Sequence, residues 1–228
     1  MEPSPPSPRA ATATPAPSAM ALRVPLAKPP RGGCSRVQLG SSELLLESVR
    51  GGHSLLWTNG RTARRTALGL PADGKLVLEL RAPQFPLVLT LRDGMVLGPR
   101  SRLCGYVWAP LVPTLVWNDS AAASQVLLEV TPEGLAAEWD EVFGHVQTCA
   151  TPWLARFPMR NGEPRAVVPL RLHNDTRTVA SVGSLPMVLR DQELAMLRGC
   201  IVTRPRRLHW RGERFGVAAD GPGQAGVA

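Results

Sequence analysis

The sequence predicts a mostly-β protein: a two-sheet β-sandwich of roughly ten to thirteen short strands, with a partly open β-barrel as the alternative. Three observations carry this. Twenty-three prolines and 21 glycines punctuate the 228 residues. Turn signals recur about every 8–15 residues between short apolar runs. No stretch shows the spacing of a long amphipathic helix, which argues against alternating strands and helices.

Residues 1–31 are rich in Pro and Ala and poor in large apolar residues. They read as a disordered, partly polyproline-like tail, because such a segment cannot bury enough surface to offset its ordering entropy. Met20 is a second candidate start of translation. A single β-rich domain is expected over 32–217, and a flexible end over 218–228.

Strands are expected from Val37 onward. Glu43 to Val49 and Ser54 to Thr58 flank Arg50-Gly51-Gly52-His53, a hairpin signal, and Asn59-Gly60 makes the next turn. Pro71-Ala72-Asp73-Gly74 precedes Lys75 to Arg81, where Leu76, Leu78 and Leu80 share one face. Phe85 to Leu91 is read as a strand closed by Arg92-Asp93-Gly94. Leu103 to Trp108 and Leu111 to Trp117 follow, separated by Pro110. Gln125 to Thr131 leads into a Pro132-Glu133-Gly134 turn. Leu135 to Phe143 alternates as a strand does, although a short helix is the other reading. Ala166 to His173 and Thr178 to Leu189 are strand-like around an Asn174-Asp175 turn, with Ser184-Leu185-Pro186 as an interruption. Leu194 to Thr203 and Arg206 to Val217 close the domain.

The formal charge is +8, and all basic residues except Lys28 and Lys75 are arginine. Such a balance attracts polyanions weakly without naming one. The first residues lack an apolar signal core, and the longest apolar run, Gly105 to Trp117, is broken by Pro110 and Pro113. No membrane span is expected. Cys34, Cys104, Cys149 and Cys200 form no C-x-x-C and no dense framework, so free buried thiols in a reducing cytoplasm are expected.

Candidate chemistry is sparse. Gly221, Gly223 and Gly226 match G-x-G-x-x-G, but no helix can follow them before the chain ends, so no dinucleotide site is expected. His145 and Cys149 have ligand chemistry, yet zinc sites take three or four donors. His53, His173 and His209 are isolated in sequence. Asp140 and Glu141, adjacent in a strand, face opposite ways and cannot share a proton, and Asp191 with Glu193 read as solvated acids at a strand end. No metal, cofactor or catalytic set is therefore expected. Trp57, Trp108, Trp117, Trp139, Trp153 and Trp210 read as core residues.

The most distinctive local feature is Arg204 to Arg214. In a strand, Arg207, His209 and Arg211 share one face, while Arg206, Leu208 and Trp210 share the other. With Arg204 they make a candidate polyanion-binding stripe. The plainer reading is a solvated edge strand over a buried Trp210.

The order of segments also resembles the uncharacterised domain-of-unknown-function family 432. The residues carrying the resemblance are Pro83-Gln84-Phe85-Pro86-Leu87, Val107-Trp108-Ala109-Pro110-Leu111-Val112-Pro113, Val142-Phe143-Gly144, Arg156-Phe157 and the Val168 to Asn174 strand. The resemblance implies a β-rich soluble domain and supplies no catalytic residue. A non-catalytic interaction or structural domain, with a possible protein partner, is thus the first expectation. A polyanion or nucleic-acid binder of modest affinity is the second. An enzyme with a gathered Cys/His site is the third.

Overall fold

The computed structural model describes residues 22–59, 62–70, 74–118, 124–159 and 162–217. Strands take up 63% of them, and the only helical element among them is a 3-10 turn, η1 (Asp191–Glu193). The first half contains β1 (Arg23–Leu26), β2 (Cys34–Leu39), β3 (Ser42–Val49), β4 (Gly52–Thr58), β5 (Ala63–Leu68), β6 (Lys75–Arg81), β7 (Leu87–Leu97), β8 (Arg102–Pro110) and β9 (Val112–Asn118). The second contains β10 (Ser124–Glu129), β11 (Ala136–Asp140), β12 (Gly144–Thr151), β13 (Arg165–Asn174), β14 (Ala180–Met187), β15 (Ala195–Leu197), β16 (Cys200–Val202), β17 (Arg206–Trp210) and β18 (Phe215–Val217). The mostly-β class is as expected. The strands are more numerous than the turn signals suggested, and the sheets do not close into a barrel.

Four sheets surround two main cores. The meander β2-β3-β4-β5 and the sheet β1-β6-β9-β10 share one core. Leu44, Leu46, Leu55 and Trp57 come from the meander, and Leu76, Leu78, Leu115 and Trp117 from the other sheet. The second core joins β11-β12-β7-β14 to the sheet built on β13, through Leu87, Leu89, Val182 and Leu185 on one side and Val168, Leu170, Leu172 and Leu208 on the other. Strand alternation produces both: apolar residues recur at every second position and turn to one face. The fully buried Leu111 joins β8 to β9, so one nearly continuous run of chain serves both cores.

The β3–β4 hairpin forms as expected. Val49 pairs with Gly52, and Gly51 sits between them at φ +88°, where any side chain is strained. Four expectations need correction. The first concerns the tail. Residues 1–21 and 218–228, with Gly221, Gly223 and Gly226, lie outside the described residues, but 22–31 are not a tail. Here β1 adds to the edge of β6, Leu26 is buried, and Arg23 pairs with the buried Glu79 at 3.0 Å. The alternation Val24, Leu26 suffices for an edge strand, which also tolerates Pro25.

The second correction concerns β7, which does not end at Arg92-Asp93-Gly94. It bulges there: Thr90 pairs with Ser184 and Met95 with Val182, leaving Leu91 to Gly94 opposite Gly183. β14 accordingly runs unbroken through Ser184-Leu185-Pro186, and its irregularity falls at Gly183. Third, Asp191 and Glu193 are not simply solvated, and Asp140 is engaged as well. Asp140 Oδ1 accepts the Val142 and Phe143 N–H groups at 2.8 and 3.0 Å, and these bonds hold its carboxyl below the ordinary value. Asp191 Oδ1 accepts from the Ala82 N–H at 2.6 Å, and Glu193 pairs with Arg206. Fourth, the thiols are free but not all buried, since Cys34 and Cys104 are exposed.

Candidate functional site

The site begins with two adjacent parallel strands. On β13, Val168, Leu170 and Leu172 turn into the core, so Arg171 and His173 turn outward. On β17, Leu208 turns inward and Arg207 and His209 outward. The register sets Arg171 beside Arg207 and His173 beside His209. Antiparallel β8 flanks β13 on its other edge, with Cys104 opposite Arg171 and Arg102 opposite His173. Arg102, Arg171 and Arg207 are all exposed. They line a shallow cleft of about 450 Å³ together with Cys104 and His173.

Arg211 belongs to the same face. Gly216 is the cross-strand partner of His209, and a Cβ there would stand only 2.9 Å from Arg211 Nε. The missing side chain thus leaves room for the Arg211 side chain to lie across the sheet beside His209. Arg204 is exposed just before β17. Arg206 points the other way, donating to the Val188 carbonyl at 2.9 Å and pairing with Glu193, so it anchors η1. Trp210 is half-buried against the core and meets Phe215 edge-on at 5.3 Å.

Which residues face out is decided by one irregularity. Val167 pairs with Val202 and Leu170 with Arg206, so the β16–β17 run carries one residue more than β13 over that interval. The extra residue lies within Thr203-Arg204-Pro205. Before it, the inward residue is Ile201; after it, Leu208. The inward positions therefore switch from odd to even numbers. The other end of the outer face is covered by chain: Leu154 bridges to Tyr106, and Phe157 meets Tyr106 edge-on at 5.6 Å. The arginine end is left open.

At the rim of the open end, His173 and His209 stack at 4.7 Å between ring centroids, 21° from parallel. Asp175, two residues past His173, lies with Oδ2 2.8 Å from His209 Nδ1. Burial, then the neighbouring His209 and Arg102, hold the His173 pKa below its ordinary value. The hydrogen bond from His209 holds the Asp175 carboxyl low. Asn174, between them, is fully buried. Its amide donates to the carbonyls of Leu97, Gly98 and Thr178, and its oxygen accepts from the N–H and hydroxyl of Thr176. This clamp fixes the turn that carries Asp175.

The structure does not bring His145 and Cys149 to one ion. They sit four positions apart on β12, about 13 Å along a strand. His145 meets the ring of Trp139, which is 70% exposed and so is not a core tryptophan. Cys149 lines a different cleft, of about 590 Å³, with Trp57, Arg92, Trp108, Glu163 and Arg165. Burial pushes the Cys149 thiol up, away from the reactive thiolate. Arg165 lies over the Trp108 ring at 4.2 Å, and Glu163 accepts from the Ser41 N–H at 2.9 Å. These contacts form part of the wall of that cleft.

Sequence reasoning found Arg204, Arg207, His209 and Arg211, and missed Arg102, Arg171, His173 and Asp175. The signal for Arg171 and His173 was present, since both alternate with Leu170 and Leu172. Comparison of the chain with protein-family models, with curated proteins and with solved structures found no match. No helix among the described residues is long and apolar enough to cross a membrane.

Proposed function

We propose that this chain is a non-catalytic β-rich binding domain whose ligand is a phosphate-bearing polyanion, held on the outer face of β8, β13 and β17. One observation carries the reading: Arg102, Arg171, Arg207 and Arg211 converge on one open sheet face from separate stretches of the sequence. Arginine forks suit phosphate oxygens, and a row of them gives affinity without base selectivity. Among the described residues, the aromatic surface at the open end of this face is limited to the stacked histidines; Tyr106 and Phe157 pack against each other at the covered end, and Trp210 lies toward the core. Stacking on bases therefore contributes little, and affinity is modest and governed by salt.

The test is a salt titration of binding to a single-stranded oligonucleotide, with heparin as a second polyanion. Replacing all four arginines by Ala is expected to reduce the slope of log K against log salt by up to about 3 units. The thermal midpoint should hardly move, since exposed substitutions mostly stay within about 0.5 kcal/mol each. Wild-type protein with no salt-dependent binding refutes the reading, as does a fourfold variant with an unchanged slope.

A further inference from the structure

The same rim carries a second chemistry. We infer that His173, Asp175 and His209 form a binding site for one divalent transition-metal ion of the zinc and cobalt class. The three residues offer ligand atoms that all lie within 4.8 Å of one another. They are the only such cluster of three among the described residues.

Metal–nitrogen and metal–oxygen bonds of about 2.0–2.2 Å place tetrahedral donors about 3.4 Å apart. The donor atoms lie close enough for small shifts to reach that value. His209 Nδ1 and Asp175 Oδ2, at 2.8 Å, open by about half an ångström as the ion replaces the proton between them. The His173 ring, which stacks on His209, turns out of that stack about its side-chain torsions to aim a ring nitrogen at the ion.

The placement is built by the backbone. His173 and His209 are register partners on hydrogen-bonded parallel strands, so the backbone holds the two side chains side by side on one face. The backbone that carries Asp175 is held by the Asn174 clamp and by the Arg100 N–H bond to the Thr176 carbonyl at 3.0 Å. Such support of ligands by rigid elements and buried hydrogen bonds is what a preorganised metal site needs.

The donor set selects the class of ion. Two imidazoles and one carboxylate suit zinc, cobalt, nickel or copper, whereas calcium and magnesium take mostly oxygen. Two neutral histidines and one carboxylate leave a bound dication with one positive charge. Arg102 and Arg207 lie close by and favour an anion on the open coordination position over a second cation.

The inference is independent of the polyanion reading and fails separately from it. The probe is cobalt(II) alone, titrated into the chelator-treated full chain and followed by its visible ligand-field band. One ion per chain is expected, without the thiolate charge-transfer band that the four free cysteines would give. His173→Ala and His209→Ala are each expected to weaken binding by more than about tenfold, as metal-site losses do. Asp175→Asn should weaken it too, while His145→Ala, remote on β12, should bind as the wild type does. Circular dichroism checks each fold, and the wild-type titration stands without any variant. The Arg171→Ala, Arg207→Ala double variant should keep its ion. No saturable band in the wild type overturns the assignment. So does equal affinity in the His173→Ala, His209→Ala double variant, or loss of the ion with the two arginines.

Discussion

Replacing Asn174 by Ala tests the clamp beneath the site. The side chain is fully buried and takes part in five hydrogen bonds, one of them long at 3.3 Å. Truncation leaves the carbonyls of Leu97, Gly98 and Thr178 short of a donor and the Thr176 N–H short of an acceptor. The Thr176 hydroxyl can turn to water, so it adds little. Three to four bonds at about 1 kcal/mol each give a loss of about 3–4 kcal/mol. In a chain of this size each kcal/mol moves the midpoint by about 2–4 °C, so a fall of about 10 °C is expected. Differential scanning calorimetry measures it. Asn174→Asp keeps the shape and the acceptor but sets a carboxylate against three carbonyls, so at neutral pH it should be no more stable than the Ala variant. A midpoint within about 2 °C of wild type in Asn174→Ala would refute the clamp. The turn would then be held by the Arg100 and Asn174 backbone N–H groups, which bond the Thr176 and Ser101 carbonyls, and by the Thr176 hydroxyl bond to the Thr178 carbonyl.

Two further outcomes follow from the fold. Removing residues 1–21 should leave the thermal midpoint within a few degrees, whereas removing 1–31 strips β1 and uncovers the core under Leu26, costing at least about 1.5–3 kcal/mol. Equal midpoints for the two truncations would show that β1 contributes nothing. Stability should also fall on acidification in two stages. His173 has a lowered folded pKa, so the unfolded chain binds its proton first; its contribution is complete above about pH 6.5 and fades below it. Asp175 also has a lowered folded pKa, and its contribution is lost only below about pH 3.9. His173→Gln should remove the upper stage, as read from urea midpoints between pH 7 and 5; an unchanged profile rejects the assignment.

Much of the fold was legible because alternation and glycine act locally. Leu44 and Leu46 marked β3, Gly51 marked its turn, and Leu76, Leu78 and Leu80 marked β6. What was missed depends on distant partners. β1 is only Arg-Val-Pro-Leu among prolines, and becomes a strand because β6 offers an open edge. β5 is polar, with exposed Arg64 and Arg65, and is ordered by pairing with β4. Arg92-Asp93-Gly94 has turn composition, yet flanking residues on both sides pair with β14, which makes it a bulge. The site divides the same way. Arg207 and His209 followed from alternation within one strand, whereas Arg211 lies past the end of β17, in the turn to β18, and reaches this face over Gly216. Their union with His173 depends on parallel pairing across a long gap in sequence, which no local pattern encodes. Asn174-Asp175 reads as a turn in either case; only burial shows that Asn174 is its fastener.

The extra residue within Thr203-Arg204-Pro205 works like a spacer in a reading frame. Strand faces are read in twos, so shortening this segment by one residue would shift everything after it by one place. Leu208 and Trp210 would turn toward water, and Arg207 and His209 toward an apolar interior. Two residues could be lost or gained with the phase intact, but never one. The basic character of this surface is thus written as much in the length of three residues as in the arginines themselves, and a comparison of related chains that aligned the arginines while ignoring that length would misjudge which of them carry the same face.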